Sequence, residues 1–577
     1  MLAWRAQLDG TATKVETGKE LQLKANELRR QFIDFVAETS SPNSRFARWS
    51  SGVFEKNTAI SSLYLYVCYI ELLKDYIEKD SGAKSVIVIS ESWALINAIR
   101  DNLTSDGLET IVINSIKETG YNLKNYVLIF LRPLVFIYRC MLQYVFAAVT
   151  RKDHPDSEGA LARETVIIRT WIAPNFFSKD GIFKDEYFNG LSKWIAANGY
   201  NVKLLPIFVS TRISLRKIMP CLRKAENRFL LPWDYLKPAD IVKSLWNGFG
   251  HLTLKFNRTD FRGLDISMLL GDEKLKFAFS SGGLQCILQH YFFERLSNAG
   301  FRIDRIIYTF ENMLPEKLFV FALRAFYPDT AIIGFQHSVL YPLYLALYIS
   351  EKETDTAPLP DKIICSGNFF RSIFLQEKYP EKILETGPAL RFSYLHNKKN
   401  KPGKPYGGKV MIVLPGYKNE AIYLLTKTLS ALKDDDMMIY IKPHPLSDFG
   451  DVNRIIEMVK FPKQRIAFET QPLQEIMRQS AVMITISSSV IFDAIASGVP
   501  VLRVKKEIDI DLDPADWLRY DPKRDFIAFS TEDIRSEVKR ALMLSDNERA
   551  FIEDYGKQFL EKTFSPVSDE TLAVFIK

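Results

Sequence analysis

A chain of 577 residues is longer than a single hydrophobic core can serve, because cores stop growing at roughly 250 to 300 residues, so two large domains are expected. Hydrophobic residues at 47% and charged residues at 25% make a globular balance that excludes extensive disorder, and the net charge of +7 points to anionic partners such as lipid headgroups or phosphates and away from nucleic acid. The cysteines, Cys68, Cys140, Cys221, Cys286 and Cys365, form no C-x-x-C pair, which excludes a zinc or redox pair and leaves reduced, mostly buried thiols.

The opening MLAWRAQLDG lacks the apolar run of a secretory signal, so the expected location is cytoplasmic. Residues 1–80 read as a helical extension, with Leu21, Leu23, Leu28, Phe32 and Phe35 near one face and SSLYLYVCYIELLKDYI as a second helix. Short β-branched runs then alternate with helical stretches: SVIVIS (85–90), a helix over 93–103, TIVIN (110–114), TVIIRTW (165–171), a helix ending near Asn198, and VKLLPIF (202–208). Such alternation predicts a Rossmann-like parallel sheet with helices on both faces.

The apolar stretch 126–149 interrupts that rhythm. Arg132, Arg139 and Gln143 fall in a narrow polar stripe against a broad apolar face, and Lys124, Arg151 and Lys152 flank the segment. This is the profile of a helix lying on an inner-membrane surface without crossing it; a buried helical hairpin of the first domain fits the periodicity equally well. Residues 210–300 read as helices and loops with no assignable chemistry. Strands RIDRIIYTF (302–310), AIIGF (331–335), KIICS (362–366) and KILETG (382–387) complete the first sheet and close an N-terminal domain of residues 1–395. HNKKNKPGKPYGG (396–408) has almost nothing to bury and reads as a linker. Beyond it, strands at 409–414, 437–441, 465–469, 481–486 and 500–504 alternate with helices in a second doubly wound domain, 409–577, whose last helices are expected to pack back across the first.

Ligands of doubly wound sheets bind outside the carboxyl ends of the strands. In the second domain those ends carry Pro415-Gly416-Tyr417, Lys442-Pro443-His444-Pro445 and Ser487-Ser488-Ser489. A glycine permits close approach to a ligand, a serine run opening a helix offers hydroxyls and backbone N–H groups to a phosphate, and a histidine held between prolines can donate to a leaving phosphate. Each also has a plainer reading, as a turn, an N-cap or a packed side chain.

His444-Pro445 followed some forty residues on by Ser487-Ser488 resembles the HP and SS motifs of bacterial sialyltransferases and capsule Kdo transferases, GT-B enzymes that use CMP-activated acidic sugars. The resemblance implies an α/β GT-B fold, with two Rossmann-like domains facing a cleft. It implies a metal-independent glycosyltransferase that needs no cofactor and moves Kdo or another nonulosonic acid from a CMP-activated donor to a capsule, O-antigen or lipopolysaccharide acceptor. It gives His444, with Pro445 of the same motif, and Ser487 and Ser488 to the nucleotide, and the strand-end positions of Ser489, Lys442 and Gly416 add them to the same set. Glu311, at the end of RIIYTF, stands where the family keeps an acidic motif, although this chain reads E-N-M there and not E-D-G. Gly334-Phe335-Gln336-His337-Ser338 resembles a segment of surface-carbohydrate transferases, which puts His337 beside Glu311 as catalytic and Gln336, Ser338 and Asn312 on the substrate. Glu91, after SVIVIS, is a reserve substrate-side carboxylate. A CDP-alditol phosphotransferase and a non-catalytic nucleotide-binding scaffold of polysaccharide assembly are the alternatives. The acidic runs Asp434-Asp435-Asp436 and Asp509-Ile510-Asp511 read as solvated charge, the second retaining a weak metal reading.

Overall fold

The computed structural model describes residues 17–79, 85–103, 109–112, 116–150, 165–172, 176–178, 182–208, 215–225, 229–396, 408–444, 449–477 and 479–577. Strands β1 (Ser85–Val88) and β2 (Glu109–Val112) pair in parallel with each other alone, as a separate two-stranded sheet. They do not join the first large sheet, which corrects the expectation from the strand–helix rhythm. The helix between them, Trp93–Leu103, buries Ala94, Leu95, Ala98 and Ile99 against the helices Leu63–Lys79 and Ser267–Ala278, and this anchors the pair to a helical layer.

β3 (Thr165–Ile172) and β4 (Asn201–Phe208) open the first large sheet. A short antiparallel pair, β5 (Asp260–Phe261) and β6 (Leu264–Asp265), lies within the helical region that follows, before the sheet resumes with β7 (Arg305–Thr309), β8 (Ala331–Gln336), β9 (Lys362–Cys365) and β10 (Leu384–Thr386). The spatial order is β4-β3-β7-β8-β9-β10, all parallel, so the winding reverses between β3 and β7. Ile167, Ile306, Ile332 and Ile363 are fully buried, as expected of strands covered on both faces.

The second sheet contains β11 (Lys409–Val413), β12 (Ile439–Lys442), β13 (Ile466–Phe468), β14 (Ser480–Thr485), β15 (Val501–Val504) and β16 (Phe526–Ala528). Its order, β13-β12-β11-β14-β15-β16, is that of a Rossmann sheet with the reversal between β11 and β14. Alternation along β11 and β14 sets the two faces: Val410, Ile412, Val482 and Ile484 fill this domain's own core, while Met411, Val413 and Met483 join the core of the first domain. The chain is therefore built of two Rossmann-like domains; sequence rhythm missed the last strand, β16, with its helix Thr531–Leu542, and the short β5–β6 pair.

Both ends of the described chain tie the domains together. The helix Asp546–Thr563 returns to the first domain, where Phe559 meets Phe369 and the Ser565 N–H donates to Ser366 O at 2.9 Å. A Cβ on Gly367 would stand 2.0 Å from the Thr563 carbonyl oxygen, so this crossing needs glycine. At the other end the helix Gly18–Ser40 reaches the second domain through Gln22, whose amide donates to Asp509 O at 2.8 Å and accepts from the Asp511 N–H at 3.0 Å. Leu21, Leu28, Phe32 and Phe35 of that helix are buried as read, but Leu23 lies on the opposite side and is exposed.

One continuous helix, Ile116–Thr150, contains the apolar stretch, so the hairpin alternative falls. Its polar stripe faces the protein: Arg132 donates to Lys276 O at 2.7 Å and Gln143 accepts from the Trp233 indole at 2.6 Å. Beneath this helix Glu273 is buried, accepts from Ser61 at 2.9 Å, and is pushed from 4.5 up to about 7, chiefly by burial. Because its folded-state pKa is raised, its stabilising share is complete below 4.5 and is lost as pH rises through about 7. Glu273→Gln should therefore melt a few degrees above the parent protein at alkaline pH. Thermal scans across the pH range check this, and the two curves should converge under acid conditions.

Candidate active site

Strand β7 delivers the chain to Glu311, and the turn that follows is held from several directions. Glu316, in the first turn of the helix Leu314–Phe326, accepts from the backbone N–H of Glu311 at 2.7 Å and of Met313 at 3.4 Å, so its role is that of a cap. Asn312 adopts φ 54°, a region asparagine tolerates, and its amide donates to Ala346 O at 3.1 Å. Behind them Glu55 accepts from the Leu314 N–H at 2.9 Å, and buried Glu353 takes both Arg48 and Lys56 at 3.0 Å. This scaffold fixes where the Glu311 carboxylate stands.

That carboxylate accepts from the Ser338 hydroxyl at 3.3 Å and lies 3.6 Å from His337 Nε2. Burial raises Glu311 above the usual carboxylate range, and the nearby Arg391 cation and the Ser338 hydrogen bond work against that rise. Burial, then Arg391, holds His337 well below the usual imidazole range. His337 is therefore neutral and its contact with Glu311 dipolar, at a separation too long for a hydrogen bond. Its Nδ1 is buried without a partner, and the ring packs 5.2 Å from that of Tyr187.

Two residues read as substrate-binding are otherwise committed. Gln336 is fully buried, donating to Ser338 O and accepting from the Ser366 N–H at 2.9 Å, so it fastens the ends of β8 and β9 together. Asn312 is buried and bonded to Ala346 as described. Glu91 follows the small β1–β2 sheet and lines a cavity under the helix Ile116–Thr150, away from Glu311.

On the facing domain, Gly416 follows β11 and Ser487 follows β14, so the two flank the winding reversal. Nδ1 and Nε2 of His444, just past β12, lie 3.5 Å from where a Cβ on Gly416 would stand, and Cε1 lies 3.3 Å away, so the imidazole packs on bare backbone and any side chain at 416 would crowd it. Burial, followed by Arg391, lowers the pKa of His444, which makes it a neutral ring that donates through one N–H. Ser487 stands at φ 44° with its hydroxyl 3.5 Å from Asp511, while the Ser488 hydroxyl accepts from the Val490 N–H at 3.3 Å and caps the helix Val490–Ala496. Ser489 is the residue preceding that helix, and its side chain makes no capping bond. Lys442 turns aside, its Nζ donating to Gln471 O at 2.6 Å. Pro445 lies outside the described residues.

Between the two halves stands Arg391, in the segment Leu390–His396 that precedes the linker. It acts electrostatically on Glu311, His337, His444 and Asp493, and stacks 5.4 Å from the Tyr187 ring. Among the described residues it has no ion-pair partner. Asp493, buried on the helix after the serines, accepts from Tyr394 at 2.7 Å and is pushed up to about 6 by burial. Sequence reasoning missed Arg391, Asp493, Tyr187 and Tyr394. The available signal was a single cation within the mostly aromatic and aliphatic run ALRFSYL, immediately before the linker. Within the acidic runs, Asp434 and Asp435 pair with Arg535, Asp509 with Lys506 and Asp511 with Lys505.

No protein-family model and no curated protein matches the chain. Among solved structures it is similar to a glycosyltransferase from Rickettsia africae ESF-5, at 12% identity and TM-score 0.40, over 72% of this chain and 99% of that one. TarM is matched at 11% identity and TM-score 0.40, over 72% and 99%. A UDP-GlcNAc 2-epimerase from Neisseria meningitidis bound to UDP-GlcNAc is matched at 11% identity and TM-score 0.42, over 72% and 98%. The fold is established by the strand order described above.

Proposed function

We propose that this chain is a glycosyltransferase of the GT-B type that takes a CMP-activated acidic sugar, Kdo or another nonulosonic acid, and transfers it to a surface-glycan acceptor at the cytoplasmic face of the inner membrane. The observation that carries the reading is the placement of Arg391, a cation without an ion-pair partner among the described residues, between Glu311 on one domain and His444 on the other. A cation so placed suits an anionic donor, and its surroundings suit charge separation. The donor phosphate lies against His444, Gly416 and the Ser487–Ser489 turn. As the glycosidic bond lengthens, negative charge gathers on the departing CMP, where the His444 N–H and Arg391 stabilise it. Glu311 either removes the acceptor hydroxyl proton or attacks the anomeric carbon.

Supplying CMP-Kdo, CMP-sialic acid and CDP-glycerol in turn, and following CMP release, tests the donor class. Release from a CMP-sugar is the expected result, whereas release from CDP-glycerol alone would replace glycosyl transfer with phosphotransfer. His444→Ala should lower turnover on the order of a hundredfold, the typical loss of one group aimed at developing charge. Parental turnover in a folded His444→Ala protein would remove the imidazole from the mechanism.

A further inference from the structure

A cavity of about 740 Å³ opens beneath the helix Ile116–Thr150, remote from Glu311 and His444. Its wall carries three cations, Arg132, Arg139 and Lys276, together with Asp272, Glu273 and, at an exposed rim position, Glu91. Lys276 is satisfied by Asp272 at 2.6 Å, which also accepts from Tyr126 at 2.9 Å, and Glu273 is hydrogen-bonded to Ser61. That leaves the two arginines facing only the rim carboxylate. Arg132 gives one N–H to Lys276 O, and Arg139 has no hydrogen-bond or ion-pair partner among the described residues.

The other side of the same helix is apolar and open. Val127, Leu131, Leu134, Tyr138, Met141 and Val145 recur at alternating spacings of four and three residues, with exposures from 42% at Met141 to 64% at Tyr138. Phe130 widens the stripe, and the neighbouring helix Pro238–Gly250 adds Phe249 and Trp246, the latter 78% exposed; Phe130 and Phe249 share the ring of Phe279 at 6.0 and 5.1 Å. This face is broader than the narrow seam by which two helices zip together, and it carries an aromatic flank of the kind that seeks a headgroup layer. Residues 126–150, with mean hydropathy 1.4, are long and apolar enough to cross a bilayer. Crossing would, however, tear away the bonds from Arg132 to Lys276, Trp233 to Gln143 and Arg223 to Ala147 and leave polar groups in hydrocarbon.

We infer that the helix lies flat on a membrane and that the cavity behind it receives the phosphate of an anionic lipid, with Arg139 and Arg132 as its ligands and the acyl chains against the outer stripe. The inference rests on the membrane-surface placement proposed above. It explains why two arginines face inward on a helix whose outer side is apolar.

Flotation of the full chain with vesicles of phosphatidylcholine alone, and with about 20 mol% phosphatidylglycerol added, tests it against two variants of equal charge change. Arg139→Gln should weaken binding to the anionic vesicles on the order of thirtyfold, as expected for loss of a charge-assisted contact, and leave binding to neutral vesicles unaltered. Lys124→Gln, exposed on the same helix, should cost about fivefold or less, the surface-potential share of a single cation. Equal losses in the two variants would reduce the site to general electrostatics while leaving the membrane placement standing. Failure to bind either kind of vesicle would remove the placement itself. Calorimetric binding of inorganic phosphate that disappears in Arg139→Gln would assign the cavity to a soluble anion and overturn the lipid inference, as would a dimer in sedimentation that vesicles do not displace.

Discussion

Glu311→Gln should reduce sugar transfer on the order of a thousandfold while leaving CMP affinity within about twofold, as measured by turnover and by calorimetry on the same preparation. The amide keeps the shape of the carboxylate and can still accept from Ser338 at the 3.3 Å separation, so the turn and its scaffold survive. What it removes is the ability to take a proton or to attack carbon. Because burial raises the pKa of Glu311, the unsubstituted enzyme should lose activity toward acid at a pH above the ordinary carboxylate value, as the base becomes protonated. CMP binding without turnover in the parent protein, unchanged in Glu311→Gln, would instead identify a nucleotide-binding scaffold.

Much of the architecture was legible because central parallel strands must be apolar along their whole length, and KVMIVL, AVMITI and RIIYTF announce themselves in that way. The strand ends followed directly, which is why Glu311, Gly416, His444 and Ser487 could be placed there. Sheet membership was not legible: SVIV reads like any buried strand, and only the packing of the Trp93–Leu103 helix on a helical layer shows that β1 and β2 stand apart. Nor could the sequence tell which way the amphipathic helix turns its stripes, because periodicity separates two faces without saying which one meets protein. The structural bonds of Gln336 and Asn312 were hidden for a related reason: their partners, Ser366 and Ala346, come from segments thirty or more residues away. Arg391 belongs to no motif. Its charge acts on Glu311 and His337 of one domain and on His444 and Asp493 of the other only because the chain brings both around it.

Arg391→Met should lower kcat/KM on the order of a hundredfold, most of it as a raised KM for the donor, since a charge-assisted contact to an anion is among the stronger single contacts. A second consequence separates this role from simple packing. Arg391 is the charge that opposes burial at Glu311, so without it the carboxylate pKa rises further and the acid limb of the pH–rate profile moves to higher pH. The same substitution relieves His444 of a like charge, raising its pKa toward the ordinary imidazole value, and so brings any titration of the donor-side ring closer to neutrality. Methionine preserves much of the stem that lies over Tyr187, so a fold defect would show as lost thermal stability, and an electrostatic one as displaced pH limbs at unchanged melting temperature. An unmoved acid limb together with a donor KM within about twofold of the parent would detach Arg391 from both the nucleotide and the base, and with it the link between the two halves of the cleft.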